Sequence, residues 1–259
     1  MSWFVLILLS FVEGLTEFLP ISSTGHLILV SAWLGINEDQ FVQSFNIIIQ
    51  FGAILSVLAL YWRRFFPIKI EFYKKIFVAF LPAAILGFLL KSVFENLLGS
   101  VIVVGVSLFI GGIVLIIMDR QAARQNPSLT IQEMTLKQAL ILGFIQCLAL
   151  IPGVSRAGAT ILGGMGLKLS REEATEFSFF LAVPTLTAAA AYKTLKILPT
   201  IEASQIDELL IGTALSFVFA ALAIRFFIGL VKRFGLQHFG WYRIVLGALI
   251  FLAVAKGWL

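Results

Sequence analysis

The sequence predicts an all-α polytopic membrane protein with six full transmembrane helices, two re-entrant helix–loop–helix hairpins and an inverted-topology repeat. Three observations carry the prediction. The 259 residues are 60% hydrophobic and 13% charged, with a mean hydropathy of +1.02, whereas a soluble domain carries about 25% charged residues. Apolar runs follow one another along the whole chain, several near the ~20 residues that a helical crossing needs. Two pairs of runs are each broken at a proline, and the second proline stands 132 residues after the first.

The first broken pair is 2–19 and 24–35, joined by Leu19-Pro-Ile-Ser-Ser23. Pro20 lacks a backbone donor, so the first helix must end there. Three crossings follow at 41–62, 76–91 and 100–118. The second broken pair is 139–151 and 157–167, joined by Pro152-Gly-Val-Ser-Arg156. Crossings at 174–193, 209–230 and 241–258 complete the chain. Pieces 24–35, 139–151 and 157–167 are too short to span lipid, so each pair is expected to dip in and return. Irregular backbone at that depth is tolerated only where protein or a water-filled cavity shields it. The whole chain reads as one membrane domain: a first repeat over 1–118, a cytoplasmic linker over 119–138 and a second repeat over 139–259.

The net charge is +5. Its distribution explains it without nucleic acid. Twelve Lys and Arg fall on one side of the counted crossings, at 63–75, 119–138, 168–171 and 232–233. Only Lys91, Lys193, Lys196 and Lys256 fall on the other. The positive-inside rule places the first set in the cytoplasm and both termini outside. Trp3, Trp33, Trp62, Trp241 and Trp258 lie at segment ends, where an interfacial aromatic belt sits. The single cysteine, Cys147, excludes an intrachain disulfide and argues against a structural zinc site. The first apolar stretch has no basic flank and carries Glu13 at its centre, so it is expected to be retained rather than cleaved.

The halves resemble one another. Phe11-Val-Glu13 matches Phe144-Ile-Gln146, Pro20-x-x-Ser23 matches Pro152-x-x-Ser155, and Phe45 and Phe177 each lie 25 residues past their proline. Three crossings separate the two broken pieces, an odd number, so the second copy is inverted. Inverted repeats with broken helices meeting near the midplane are a transporter architecture.

The charges at membrane depth point to a site, because each costs roughly 2.5–3.5 kcal/mol on insertion scales. Glu13 and Glu17 are four apart and share a helix face. Ser22, Ser23, Thr24 and His26 follow the break. Arg156 is the single charge of 139–167. Two carboxylates on one face can hold a hard divalent cation, Mg²⁺ or Ca²⁺. An arginine fork suits phosphate oxygens, and Gly153, Gly158 and a helix start near Ser155 add backbone donors and a favourable dipole. Together these form a clamp for pyrophosphate, with the hydroxyls and the imidazole as candidate nucleophile and base.

Glu13-Gly-Leu-Thr-Glu-Phe-Leu-Pro-Ile-Ser-Ser-Thr-Gly-His26 and Pro152-Gly-Val-Ser-Arg-Ala-Gly-Ala-Thr160 closely resemble the two signature motifs of bacterial undecaprenyl-pyrophosphate phosphatase, the integral membrane family linked to bacitracin resistance. Ile49-Gln-Phe-Gly-Ala-Ile54 and Trp241-Tyr-Arg-Ile-Val-Leu-Gly247 fit its pattern as well. The resemblance implies removal of the terminal phosphate from undecaprenyl pyrophosphate at the outer face of the bacterial cytoplasmic membrane, with a divalent cation. The product is the carrier lipid reused in cell-wall synthesis. It also implies that Glu13 and Glu17 handle the metal and proton transfer, and that Ser23 or His26 attacks phosphorus. Arg156, Ser155, Thr160, Ser22, Thr24 and Gly153 are implied to bind substrate. One position departs from the pattern: its second serine is Ala157 here, so that hydroxyl is dispensable. The expected partners are a polyprenyl pyrophosphate and membrane lipid, with a homodimer left open. The rival reading, motivated by the inverted repeat, is a flippase or transporter of polyprenyl phosphate.

Each residue also has a plainer reading. Glu13 and Glu17 could face a vestibule. Ser22, Thr24 and Ser155 are good helix caps. His26 alone could be a packed or capping histidine. Arg156 could snorkel, and Arg243, at the start of the last crossing, could do the same or touch a head group. Gln50 could line a pocket or bond a neighbouring helix. Gly111-Gly112 and Gly163-Gly164 read as close helix contacts.

Overall fold

A computed structural model describes residues 1–97, 100–122, 124 and 129–258. Residue 123 and residues 125–128 of the expected linker lie outside the described residues. In chain order the helices are α1 (Trp3–Thr16), α2 (Ser23–Trp33), α3 (Gln40–Ile48), α4 (Gln50–Leu60), α5 (Trp62–Phe65), α6 (Ile70–Leu89), α7 (Lys91–Leu97) and α8 (Val101–Ala122). The second half holds α9 (Leu136–Gln146), a 3₁₀ turn (Cys147–Leu150), α10 (Arg156–Gly166), α11 (Arg171–Ile197), α12 (Ala203–Phe234) and α13 (Gln237–Ala255). Among the described residues, six helical stretches are long and apolar enough to cross a membrane: Gln40–Leu60, which joins α3 and α4, then α6, α8, α11, α12 and α13. These are the six crossings the hydropathy predicts. The short pieces α1, α2, α9 and α10 fall where the proline-broken runs were read.

Helices in lipid gain little from burying apolar surface against one another, so close backbone approach carries much of their association. Glycine provides that approach at each main contact. A Cβ on Gly52 of α4 would sit 2.0 Å from the Thr213 carbonyl of α12. One on Gly14 of α1 would meet Phe219 Cβ at 2.6 Å, and one on Gly143 of α9 the Ala79 carbonyl of α6 at 2.4 Å. Gly112 of α8 and Gly240 of α13 face each other, each blocking a Cβ on the other through its carbonyl. Gly52→Ala is therefore expected to force α4 and α12 apart. Overpacking of this kind costs about 1–3 kcal/mol, and a lower melting temperature in detergent measures it.

The pairing crosses the two halves: α1 packs on α12, and α9 packs on α6. The 27 residues of α11, about 40 Å of helix, join the two ends of the bundle. At one end, buried Asp119 of α8 accepts from Arg171 Nε at 2.7 Å and from the backbone of Leu236 and Gln237, holding the α12–α13 turn. Nearby Lys75 donates to the carbonyls of Ile131 and Gln132. At the other end Lys193 and Lys196 line a cavity together with Lys91. All five tryptophans are exposed, between 53% and 74%, as an interfacial belt requires.

Candidate functional site

Local capping builds the site. Ser22 adopts φ 70° and its hydroxyl accepts from Gly25 N; Ser155 adopts φ 76° and accepts from Gly158 N. The two loops therefore start their helices with the same turn and the same cap, satisfying amides that would otherwise be orphaned. Sequence alignment of the prolines pairs Ser23 with Ser155; the caps pair Ser22 with Ser155 instead, because the second loop carries one more residue. Ser23 and Arg156 then occupy the same place, the first residue of α2 and of α10.

Both meet Glu17. Arg156 Nη2 donates to Glu17 Oε1 at 2.8 Å, and Ser23 Oγ donates to Glu17 Oε2. All of this is buried: the Arg156 and Glu17 side chains are 9% and 4% exposed. Arg156 Nη1 donates to the carbonyl and hydroxyl of Ser178 at 3.0 and 3.1 Å, and its guanidinium lies over the Phe18 ring at 5.6 Å. Its Nε has no acceptor. Thr160 is fully buried; its hydroxyl reaches the Arg156 carbonyl at 2.8 Å and Ser178 Oγ at 2.7 Å. Glu13 lies one turn before Glu17, fully buried, and neither of its carboxylate oxygens has a hydrogen-bond partner. A buried carboxylate left so is costly, and a cation or proton is what such a group fits.

His26 has partners of its own beside this cluster. Its Nδ1 lies 2.8 Å from the Ser22 carbonyl, and its Nε2 lies 2.6 Å from Tyr242 Oη on α13. Thr24 lines the large cavity, of about 1310 Å³, with Gln50, Thr185 and the three lysines. Gly153 packs closely against α8. Its φ is 90°, a Cβ would meet Ser107 Cβ and the Val104 carbonyl at 2.8 Å, and its own carbonyl accepts from Arg243.

Arg243 is the residue sequence reasoning undervalued. Only 1% exposed, it is buried rather than snorkelling. Its guanidinium donates at 3.0 Å to the carbonyls of Pro20, Gly153, Val154 and Ser107. A longer contact of 3.5 Å runs from Nε to Leu108. One side chain thus binds both proline loops to α8. Gly111 makes room for it, since a Cβ there would lie 2.0 Å from Nη2. Ser178 and Tyr242 were also missed: each reads as an ordinary polar residue in or beside a crossing. The signal available was Arg243 itself, a charge inside an apolar run.

These features define a polytopic membrane protein in which two broken helices bring a carboxylate, a hydroxyl and a guanidinium together in a buried cluster, with Thr24, the residue after Ser23, on the wall of a large cavity. A family model described as "Bacitracin resistance protein BacA" matches residues 6–249. The chain belongs to this family. Relatives named undecaprenyl-diphosphatase are similar over nearly their whole length. That of Bdellovibrio bacteriovorus is 54% identical over 99% of this chain and 98% of the relative. That of Flavobacterium johnsoniae is 47% identical over 95% and 94%, and that of Flavobacterium psychrophilum 47% over 97% and 96%.

Proposed function

We propose that this chain hydrolyses undecaprenyl pyrophosphate to undecaprenyl phosphate and inorganic phosphate, recycling the carrier lipid for cell-wall synthesis. The observation that carries it is the meeting of Ser23, Glu17 and Arg156, a hydroxyl bonded to a base and a base bonded to a phosphate-binding fork. The names of the relatives support the same substrate. In this reading the two broken pieces are re-entrant hairpins of an inverted repeat, in a multi-pass protein of the cytoplasmic membrane. Support comes from their matching caps and from the crossed pairing, in which a helix of each half holds the broken piece of the other. The termini and the cavity face outward, as the lysine count suggests. The cavity exceeds the roughly 300–1,000 Å³ of drug-sized pockets, which suits a long apolar tail.

Glu17 takes the Ser23 proton as Oγ attacks the terminal phosphorus, and undecaprenyl phosphate leaves. Arg156 draws its free Nε–H and its fork toward the phosphoryl oxygens. Water then attacks the phosphoserine, its proton passes to His26, and Ser23 recovers its own from Glu17. Ser22, Ser155 and Thr160 hold the helix starts and the arginine in place, and Thr24 lines the route in. The chain's contribution is positioning and preset charge. The residues present fit a divalent cation, Mg²⁺ or Ca²⁺. Glu13 offers two unpartnered oxygens beside Glu17, and no group of three or more His, Cys, Asp or Glu exists among the described residues, so water and substrate oxygens would complete its shell. When bound it supplies charge neutralisation on the phosphates.

The test is phosphate release from a prenyl pyrophosphate by purified protein, with and without chelator, comparing Ser23→Ala and Glu13→Gln. Chelation and either substitution are expected to lower release by about 100-fold or more. Full release by Ser23→Ala would remove the serine from this scheme. A protein that moved polyprenyl phosphate across vesicles without hydrolysis would favour the flippase reading instead.

A further inference from the structure

A carbonyl oxygen can only accept a hydrogen bond. The contact between His26 Nδ1 and the Ser22 carbonyl, 2.8 Å, therefore requires the proton on Nδ1. In the neutral ring Nε2 is then the lone-pair nitrogen, and the Tyr242 hydroxyl, 2.6 Å away, donates to it. The two rings lie parallel within 7°, with centroids 5.7 Å apart. A backbone carbonyl on one nitrogen and a phenol on the other leave the imidazole neither free to rotate nor free to exchange tautomers.

Tyr242 reaches His26 from the first turns of α13, next to Arg243. Arg243 sets the backbone of both proline loops, so Tyr242 stands on an element already registered to them. Tyr242 is 45% exposed, so water can reach its hydroxyl while that hydroxyl stays on Nε2. Neither composition nor any motif assigned this tyrosine a role.

We propose that Tyr242 is a positioning residue for the reaction, its hydroxyl holding His26 in the Nδ1–H tautomer and standing between Nε2 and the reacting water. This rests on the reading that His26 serves the hydrolysis. The step balances as a relay: the water gives a proton to Tyr242 Oη, which passes its own to His26 Nε2 and is left a phenol.

Tyr242→Phe removes the hydroxyl and keeps the ring. The full-length protein in detergent is expected to lose about three- to ten-fold in kcat, the worth of one neutral hydrogen bond, with KM changed by less than about two-fold and melting unaltered. The second readout is ¹⁵N resonance of labelled histidine. The chain has two histidines, so His238→Asn leaves His26 alone in the spectrum. Tyr242→Phe is expected to shift Nε2 and leave Nδ1 in place. A kcat at or above that of the unsubstituted protein, or an unmoved Nε2 resonance, would overturn the role. His26→Ala separates the two failures. If it keeps full turnover while Tyr242→Phe still shifts Nε2, the functional reading of His26 falls and the proposal with it. If it loses turnover and Tyr242→Phe does not, the positioning role alone falls.

Discussion

Arg156→Ala is expected to reduce phosphate release by about 100- to 1000-fold, the range seen when a preset donor to developing charge is removed. The reason lies in three contacts that vanish together: the fork on Glu17, the pair of bonds to Ser178, and the guanidinium over Phe18. Glu17 is then a buried carboxylate without its cation, and breaking such a pair costs about 3–5 kcal/mol. Arg156→Lys keeps a charge but offers one point donor in place of a planar fork. Losing one charge-assisted bond costs about 1.5–3 kcal/mol, so a fall of about 10- to 100-fold is expected. Glu17→Gln combined with Arg156→Ala should lose less than the sum of the two, since each alone already breaks the same contact. Steady-state release by the four proteins gives the coupling. Strict additivity would mean that the pair does not act as a unit.

Arg243→Ala is expected to give the largest loss of stability. The substitution takes the guanidinium away from the carbonyls of Pro20, Gly153 and Val154 in the two loops, and from those of Ser107 and Leu108 in α8. It also opens a hole the size of a long side chain. Large-to-small changes and broken buried networks each cost about 3–5 kcal/mol. The melting temperature in detergent should fall sharply, with phosphate release falling alongside, because the loops that carry Glu17, Ser23 and Arg156 lose their common anchor. Arg243→Lys can reach only part of the set and should lie between. An Arg243→Ala protein that melts normally would show that the loops hold one another without it.

Much of this molecule is legible from hydropathy. The six spans agree with the apolar runs to within a few residues at most ends, because partition into lipid depends on local composition and not on distant partners. The proline-broken pieces were legible for the same reason. Charges that lipid penalises pointed to Glu13, Glu17, His26 and Arg156. Their chemistry suggested a pyrophosphate clamp, and the motifs attached it to a lipid substrate.

The partners were not legible. Glu17 and Arg156 stand 139 residues apart, and sequence could say only that their hairpins could meet. It assigned Arg156 to phosphate and Glu17 to metal and proton transfer; in the folded chain the two are bonded to each other. The one-residue difference between the loops was hidden by matching prolines; cap geometry aligned Ser23 with Arg156. Gly111-Gly112 was read as a helix contact, and Gly112 is one, but Gly111 admits the Arg243 guanidinium.

Sequence by itself determined that the chain carries six runs long and apolar enough to cross a membrane, with acids, hydroxyls, an imidazole and a guanidinium at two breaks. Only the tertiary structure decided that a buried arginine on the last helix binds both breaks through their carbonyls, and which nitrogen of His26 is the acceptor. The physical reason is that lipid selects residues one at a time by polarity, while a hydrogen bond between backbone and a distant side chain exists only once packing has brought both ends to within about 3 Å.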